Sequence, residues 1–286
     1  MVEQPPFQPV TPGPREVPEL RARGVGEIID AAFKLYLARW KLFIPLSAVF
    51  MVPFAALSAI ASGTALGSLD EGEFVDPEAL PTTEEVLAFF VPIAAVGLLF
   101  MLFYPVMSAA LAWAAGRTYT GDSPSVGRTV GVAFGKIGPI LLVAILTGLA
   151  IVGGFLLLII PAIIFGIRFL LASQIVILED TKAKAAMSRS WNLTRGYFWK
   201  IVGAMILSAI IGSIVQAIVS APFQITAQFL LDENLVLGSV LMFIGDAIGG
   251  TLVTPFSVIV QVLVYFDFRI RKEGLDLSMM AQQLRP

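Results

Sequence analysis

Forty-two consecutive residues, Ile137 to Leu178, carry a single ionisable side chain, Arg168. Within a bilayer every backbone N–H and C=O must be bonded inside the protein, which restricts such a stretch to helix or closed barrel. A hydrocarbon core takes roughly 20 helical residues per crossing, so this run is too long to cross once and must fold back. Gly153, Gly154 and Pro161 mark the expected turn. The same criterion applied along the chain predicts six spans, Leu42 to Ser62, Val86 to Ala115, Ile137 to Gly154, Leu158 to Leu178, Ile201 to Gln224 and Leu237 to Phe266. With 57% hydrophobic and 14% charged residues and a mean hydropathy of +0.86, the 286-residue chain reads as a polytopic membrane protein.

The charges predict the orientation. Of the 19 Lys and Arg, 18 fall in Met1 to Lys41, Gly116 to Lys136, Glu179 to Lys200 and Asp267 to Pro286, all on one side of this topology. The loops on the other side hold only acids: Asp70, Glu71, Glu73, Asp76, Glu78, Glu84 and Glu85, then Asp232 and Glu233. The positive-inside rule then places both termini in the cytoplasm of a cell membrane protein. Residues 1–24, rich in Pro and lacking the apolar core of a signal peptide, read as a disordered cytoplasmic tail. The six-span membrane domain covers 25–275 and a short cytoplasmic tail 276–286.

Ile28, Ile29, Ala32, Phe33, Tyr36, Leu37 and Trp40 share one helical face ahead of the first span, predicting an amphipathic helix on the cytoplasmic leaflet or the bundle. Val25-Gly26 with Ala32-Phe33 recurs as Val126-Gly127 with Ala133-Phe134, and Trp40-Lys41-Leu42 resembles Trp199-Lys200-Ile201. Between Thr181 and Tyr197 lies a third such helix. The expected fold is therefore an all-α membrane bundle of six transmembrane helices with cytoplasmic amphipathic helices, in a threefold internal repeat of one amphipathic helix plus one hairpin.

Two ionisable side chains fall well inside spans, Arg168 and Asp246. A charge there is costly and faces the bundle or water. Counted from the outer ends of their helices the two share a depth, which allows an ion pair that fixes packing; alternatively Arg168 receives a phosphate or carboxylate and Asp246 positions it or exchanges a proton. A third reading moves the hairpin boundary and lets Arg168 reach the cytoplasmic headgroups. Ser213, Gln216, Ser220 and Gln224 form a narrow polar stripe on the fifth span; Asp246, Gly249, Gly250, Ser257 and Gln261 share a broad side of the sixth. Interhelical packing and a lined path are the alternatives, with Gln216 and Ser220 joining Arg168 and Asp246 as candidate ligand-binding residues. Pro255, with Gly249 and Gly250, offers a place for the sixth helix to break. Arg189, Arg195 and Lys200, with Arg269, Arg271 and Lys272, sit where anionic headgroups would lie.

With neither Cys nor His, the chain has no disulfide, thiol nucleophile, imidazole base or ordinary zinc site, and the near balance of 19 basic and 21 acidic residues gives no footprint for nucleic acid. No catalytic motif or phosphate-cradling loop occurs, so neither catalytic residue, metal nor cofactor is expected. The expected function is a non-enzymatic module that binds membrane lipids or assists a membrane or cytoplasmic partner protein. The alternative is a transporter of a small or amphiphilic anion that uses Arg168 and Asp246.

Three stretches carry a family resemblance: Val25-Gly26-Glu27-Ile28-Ile29-Asp30 with Ala32-Phe33; Pro161 to Arg168 through Leu178-Glu179-Asp180 to Arg189-Ser190-Trp191; and Tyr265-Phe266-Asp267-Phe268-Arg269-Ile270-Arg271-Lys272-Glu273-Gly274. Together, over Val25 to Leu275, they resemble the prokaryotic membrane domain attached to some glycerophosphoryl diester phosphodiesterases and also found free-standing. In fused members the resemblance implies a separate TIM-barrel catalytic domain with metal-binding carboxylates and histidines. This chain has no room for that barrel and no His, so the phosphodiesterase activity carries over to no residue here. What the resemblance implies is an association with phospholipid or phosphodiester metabolism or with a partner enzyme.

Overall fold

The computed structural model describes residues 21–70, 82–231 and 234–275, and all its regular elements are helices. The chain begins with α1 (Val25–Ala38), then the hairpin α2 (Trp40–Asp70) and α3 (Thr83–Tyr119). A short α4 (Val126–Gly135) precedes α5 (Ile137–Leu157), which turns back into α6 (Ile159–Phe169) and α7 (Ala172–Glu179). A further short helix, α8 (Ala183–Thr194), leads to the hairpin of α9 (Phe198–Leu231) and α10 (Leu235–Glu273). Six candidate spans emerge, Trp40–Ala61, Val86–Tyr119, Ile137–Leu157, Ile159–Glu179, Phe198–Leu230 and Leu237–Glu273, matching the six expected from sequence.

The long run turns at Leu158, whose extended backbone separates α5 from α6. Gly154 is required there: a Cβ would come within 2.8 Å of the Ala162 backbone nitrogen and 2.9 Å of Phe165. Pro161 sits in the first turn of α6, where a missing N–H costs no helical bond. The fourth span is not continuous but breaks at Leu170 and Leu171, and the break carries consequences for Arg168. The place for a break offered by Pro255 is not used: α10 continues through it.

The short–long–long order of helices occurs three times, and the matched residues Val25 and Val126 each begin a short helix. Order alone does not make the units equivalent, since α6 and α7 stand where the other units have one long helix. The short α1 divides its apolar residues. Ile28, Ile29 and Ala32 are buried, Phe33 packs on Phe256 with ring centroids 4.5 Å apart, and the Tyr36 hydroxyl donates to the Leu252 carbonyl at 3.0 Å, while Leu37 and Trp40 stay exposed.

The centre of the molecule is the second half of α10. Val258, Ile259, Val260, Val262, Val264, Tyr265 and Phe268 are fully buried, as befits a helix apolar on every side. Around it lie Ile28 of α1, Phe43 and Leu46 of α2, Leu111 of α3, Ile175 of α7 and Ile201 of α9. On α3 the small residues Ala109, Ala110, Ala112, Ala114 and Ala115 let backbones approach, and a Cβ on Gly116 would strike Leu178. Towards the opposite end the helices display apolar side chains outward, among them Ile60, Phe90, Leu156, Ile218 and Phe229. Such a surface is stable only against hydrocarbon.

Arg23, within the tail expected over residues 1–24, touches the bundle. The Arg23 backbone N–H donates to Asp267 at 2.7 Å, and its carbonyl accepts from Lys200 at 2.6 Å and Arg271 at 3.0 Å, so the chain is already anchored there. Glu27 reaches back to the Gly24 N–H at 2.7 Å and pairs with Arg21, and these contacts hold its carboxyl below the usual carboxylate range. The remainder of the Pro-rich tail and the tail 276–286 lie outside the described residues.

Candidate functional site

The break between α6 and α7 leaves the last carbonyls of α6 without helical partners. Ser190 of α8 donates to the Arg168 carbonyl at 2.7 Å, with Thr194 close by at 3.5 Å, so α8 closes the end of α6. The Arg168 guanidinium lies over the Trp191 ring, 5.2 Å from its centroid, and Phe165 and Phe169 complete an aromatic wall around that ring. Its Nε and Nη1 are buried and have no hydrogen-bond partner among the described residues. The α6 C-terminus and the indole face offset part of the cost of burying this charge. Neither supplies an acceptor for the two N–H groups.

Further cations lie near Arg168. Arg168 and Arg195 both act electrostatically on Lys272, whose ammonium donates to the Asn192 carbonyl at 2.6 Å and the Arg195 carbonyl at 2.8 Å. Arg168, Arg195 and Lys272 form no ion pair among the described residues.

Asp246 is elsewhere. It accepts from the side-chain amides of Gln216 and Gln224, each at 3.4 Å, on an exposed part of the α9–α10 hairpin. Lys272, the α10 residue beside Arg168, lies 26 residues further along that helix, which is roughly 39 Å of helical rise. Arg168 and Asp246 therefore form no ion pair and share no site, and the packing pair and the two-residue anion site expected from equal depth are both corrected. The count from helix ends erred because α10 runs 39 residues to the basic end while the span Ile159–Glu179 has 21, so their outer ends do not lie level.

The polar stripe on α9 serves the hairpin. Gln216 occupies space left by Gly249, where a Cβ would fall 2.5 Å from its carbonyl oxygen, and Gly245 and Gly212 make similar room for Phe223 and Val253. Ser220 is buried, and Ser213 donates to its own helix at Ile210. Small residues that bring helices together and amides that bond between them are the packing alternative drawn from sequence.

Four of the six basic residues expected to face headgroups are bound to carboxylates of the same chain. Arg189 pairs with Glu179 and Glu273, each at 2.6 Å, and these bonds raise its already high pKa. Arg269 pairs with Glu273 at 3.0 Å, and Glu179 also accepts from the Tyr265 hydroxyl at 2.7 Å. Lys200 and Arg271 converge on Asp267, which is 2% exposed, at 2.5 and 3.0 Å. Together with Lys136–Asp180 these pairs knit the basic end of the bundle. Arg195 and Lys272 are left beside Arg168.

A cavity of about 520 Å³ opens at the same end between α3, α4, α7 and α10, with Arg117, Arg128, Lys136 and Arg269 in its wall. Arg117 and Arg128 both lie over Trp113, at 5.4 and 5.7 Å. Sequence reading passed over these two arginines because they sit in an ordinary inter-span loop region, and only the fold brings them to one indole. Among the described residues no group of three or more acidic side chains is placed to hold a metal ion.

Six apolar crossings, a core centred on α10 and an interlocked basic end define a multi-pass helical membrane domain. Residues 140–283, half of the chain, match the family described as the membrane domain of glycerophosphoryl diester phosphodiesterase, and the chain belongs to that family. The match covers the second and third of the resembling stretches; the first, from Val25, precedes it. No curated protein matches the chain, and no solved structure does.

Proposed function

We propose that the protein is a non-enzymatic lipid-binding module of the cell membrane which holds an anionic phospholipid headgroup at Arg168, Arg195 and Lys272. The observation that carries this reading is the Arg168 guanidinium, two of whose buried nitrogens lack an acceptor among the described residues, with the Lys272 ammonium near enough to feel its charge. An unsatisfied buried donor costs about 1–3 kcal/mol, more when charged, and a phosphate oxygen removes that cost with charge-assisted bonds. Trp191 provides the amphipathic ring suited to the boundary between headgroup and chain. The basic end faces the cytoplasm, with both termini there, on the strength of the charge asymmetry of the loops. Assistance to a partner protein is compatible with a lipid-holding role.

Native mass spectrometry of the full chain released from mild detergent, with a phosphatidylglycerol and a phosphatidylcholine of identical chains offered together, tests this reading. Preferential retention of the anionic lipid is expected, with roughly tenfold weaker retention for Arg168→Ala, as loss of a charged hydrogen bond predicts. Equal retention of both lipids, or no change in the variant, overturns it.

A further inference from the structure

A second cavity, of about 500 Å³ and open to the surface of the bundle, lies between α3, α5, α6, α7 and α10 and has no charged residue in its wall. Its volume is in the range of small-molecule sites. Its two ends differ. At one, Gln174 and Gln261 face each other, the Gln174 side-chain amide donating to Gln261 Oε1 at 2.5 Å. Gln174 is 2% exposed, yet its own carbonyl oxygen has no partner, and the Thr147 hydroxyl in the α5 wall also has none. Turning the Gln174 amide over would exchange an orphan acceptor for an orphan donor and leave the deficit in place. At the other end the wall is Phe100, Met101 and Ile151, each more than a third exposed on the surface that faces hydrocarbon.

The helix directions orient this cavity. Ser108 lies eight residues beyond Phe100 on α3, roughly 12 Å nearer the basic end, and Gln261 lies eight residues, roughly 12 Å, short of Arg269 on α10. The polar pole therefore points to the basic end, and the apolar pole and its opening point to the middle of the bilayer. A lipid of the adjoining leaflet has this same polarity, head towards its own surface and chain inward. The uncharged wall excludes an ionised headgroup, whose burial without a counter-charge is prohibitive. A hydroxyl fits, since it both donates to Gln174 and accepts from Thr147 or the amide.

We infer that this cavity binds a neutral, hydroxyl-bearing lipid of the diglyceride class, its free hydroxyl at Gln174 and Thr147 and an acyl chain leaving past Phe100 and Ile151. The site is separate from the Arg168 cluster and does not rest on the reading given to it. The deficit at Gln174 makes the site selective, because a chain without a hydroxyl fills the apolar part and leaves the oxygen unsatisfied.

The test offers the full chain in mild detergent a 1,2-diglyceride and the same molecule acetylated at its free hydroxyl, and reads retention by native mass spectrometry. The diglyceride is expected to be retained roughly tenfold better, the discrimination of about one hydrogen bond. Gln174→Leu is expected to abolish that preference. Gly148→Leu, which grows into the cavity from a position with only the Met101 terminus at 3.7 Å, is expected to abolish retention of both. Equal retention of the two lipids by the wild-type chain, or undiminished retention by Gly148→Leu, overturns the inference, the former indicating that water alone meets Gln174. Should Gln174→Leu fail to fold, the wild-type comparison and Gly148→Leu still decide.

Discussion

At the scale of single residues, Asp267 illustrates how one buried carboxylate organises an end of the molecule. Its side chain receives Lys200, Arg271 and the Arg23 backbone N–H, joining the start of α9, the end of α10 and the segment before α1. Removing one partner of a buried ionic set leaves the others uncompensated, which costs about 3–5 kcal/mol. Asp267→Asn is therefore expected to destabilise by about 3 kcal/mol, read from chemical denaturation in detergent, and a loss below about 1 kcal/mol contradicts the central role given to this group. Arg168 is the opposite case, a charge whose buried Nε and Nη1 have no acceptor among the described residues. Arg168 is legible in the sequence because it interrupts an apolar run, while Asp267 stands as one charge among many in a terminal segment. Nothing local distinguishes a carboxylate that will be 2% exposed from one in solvent.

At the scale of elements, the α5–α6 hairpin shows a turn made without polar residues. Phe155 to Ile160 are all apolar and exposed, so the turn is made by close contact between the two helices at Gly154. Gly154→Ala is expected to cost about 1–3 kcal/mol through forced separation of α5 from Ala162. Gly153→Ala, whose Cβ meets nothing within 4 Å, is the internal control and is expected to be neutral or slightly stabilising in the same denaturation experiment. The turn was legible because glycines and a proline punctuate the run. The break at Leu170 and Leu171 was not, since neither residue disfavours helix; what supports it is Ser190 of α8, twenty-two positions away from the Arg168 carbonyl it caps.

At the scale of the whole molecule, the six crossings and the charge asymmetry predict a labelling pattern that the absence of native Cys makes simple to read. In intact cells, Asp232→Cys between α9 and α10 is expected to react with a membrane-impermeant maleimide, and Lys184→Cys on α8 only after permeabilisation; the reverse pattern overturns the assigned orientation. Sequence by itself determined the class of protein, the number of crossings, the short helices between them and the separation of basic from acidic ends. Each of these follows from local quantities, the hydrophobicity of a twenty-residue window and the charge of a loop, that the bilayer reads directly. Only the tertiary structure decided that Arg168 and Asp246 lie apart, that four of the six basic residues expected at headgroups are bound to carboxylates of the same chain, and that Gln174 faces a cavity with an unsatisfied oxygen. Those are properties of helix packing, where a side chain's partners come from elements far away in sequence, and no window along the chain contains them.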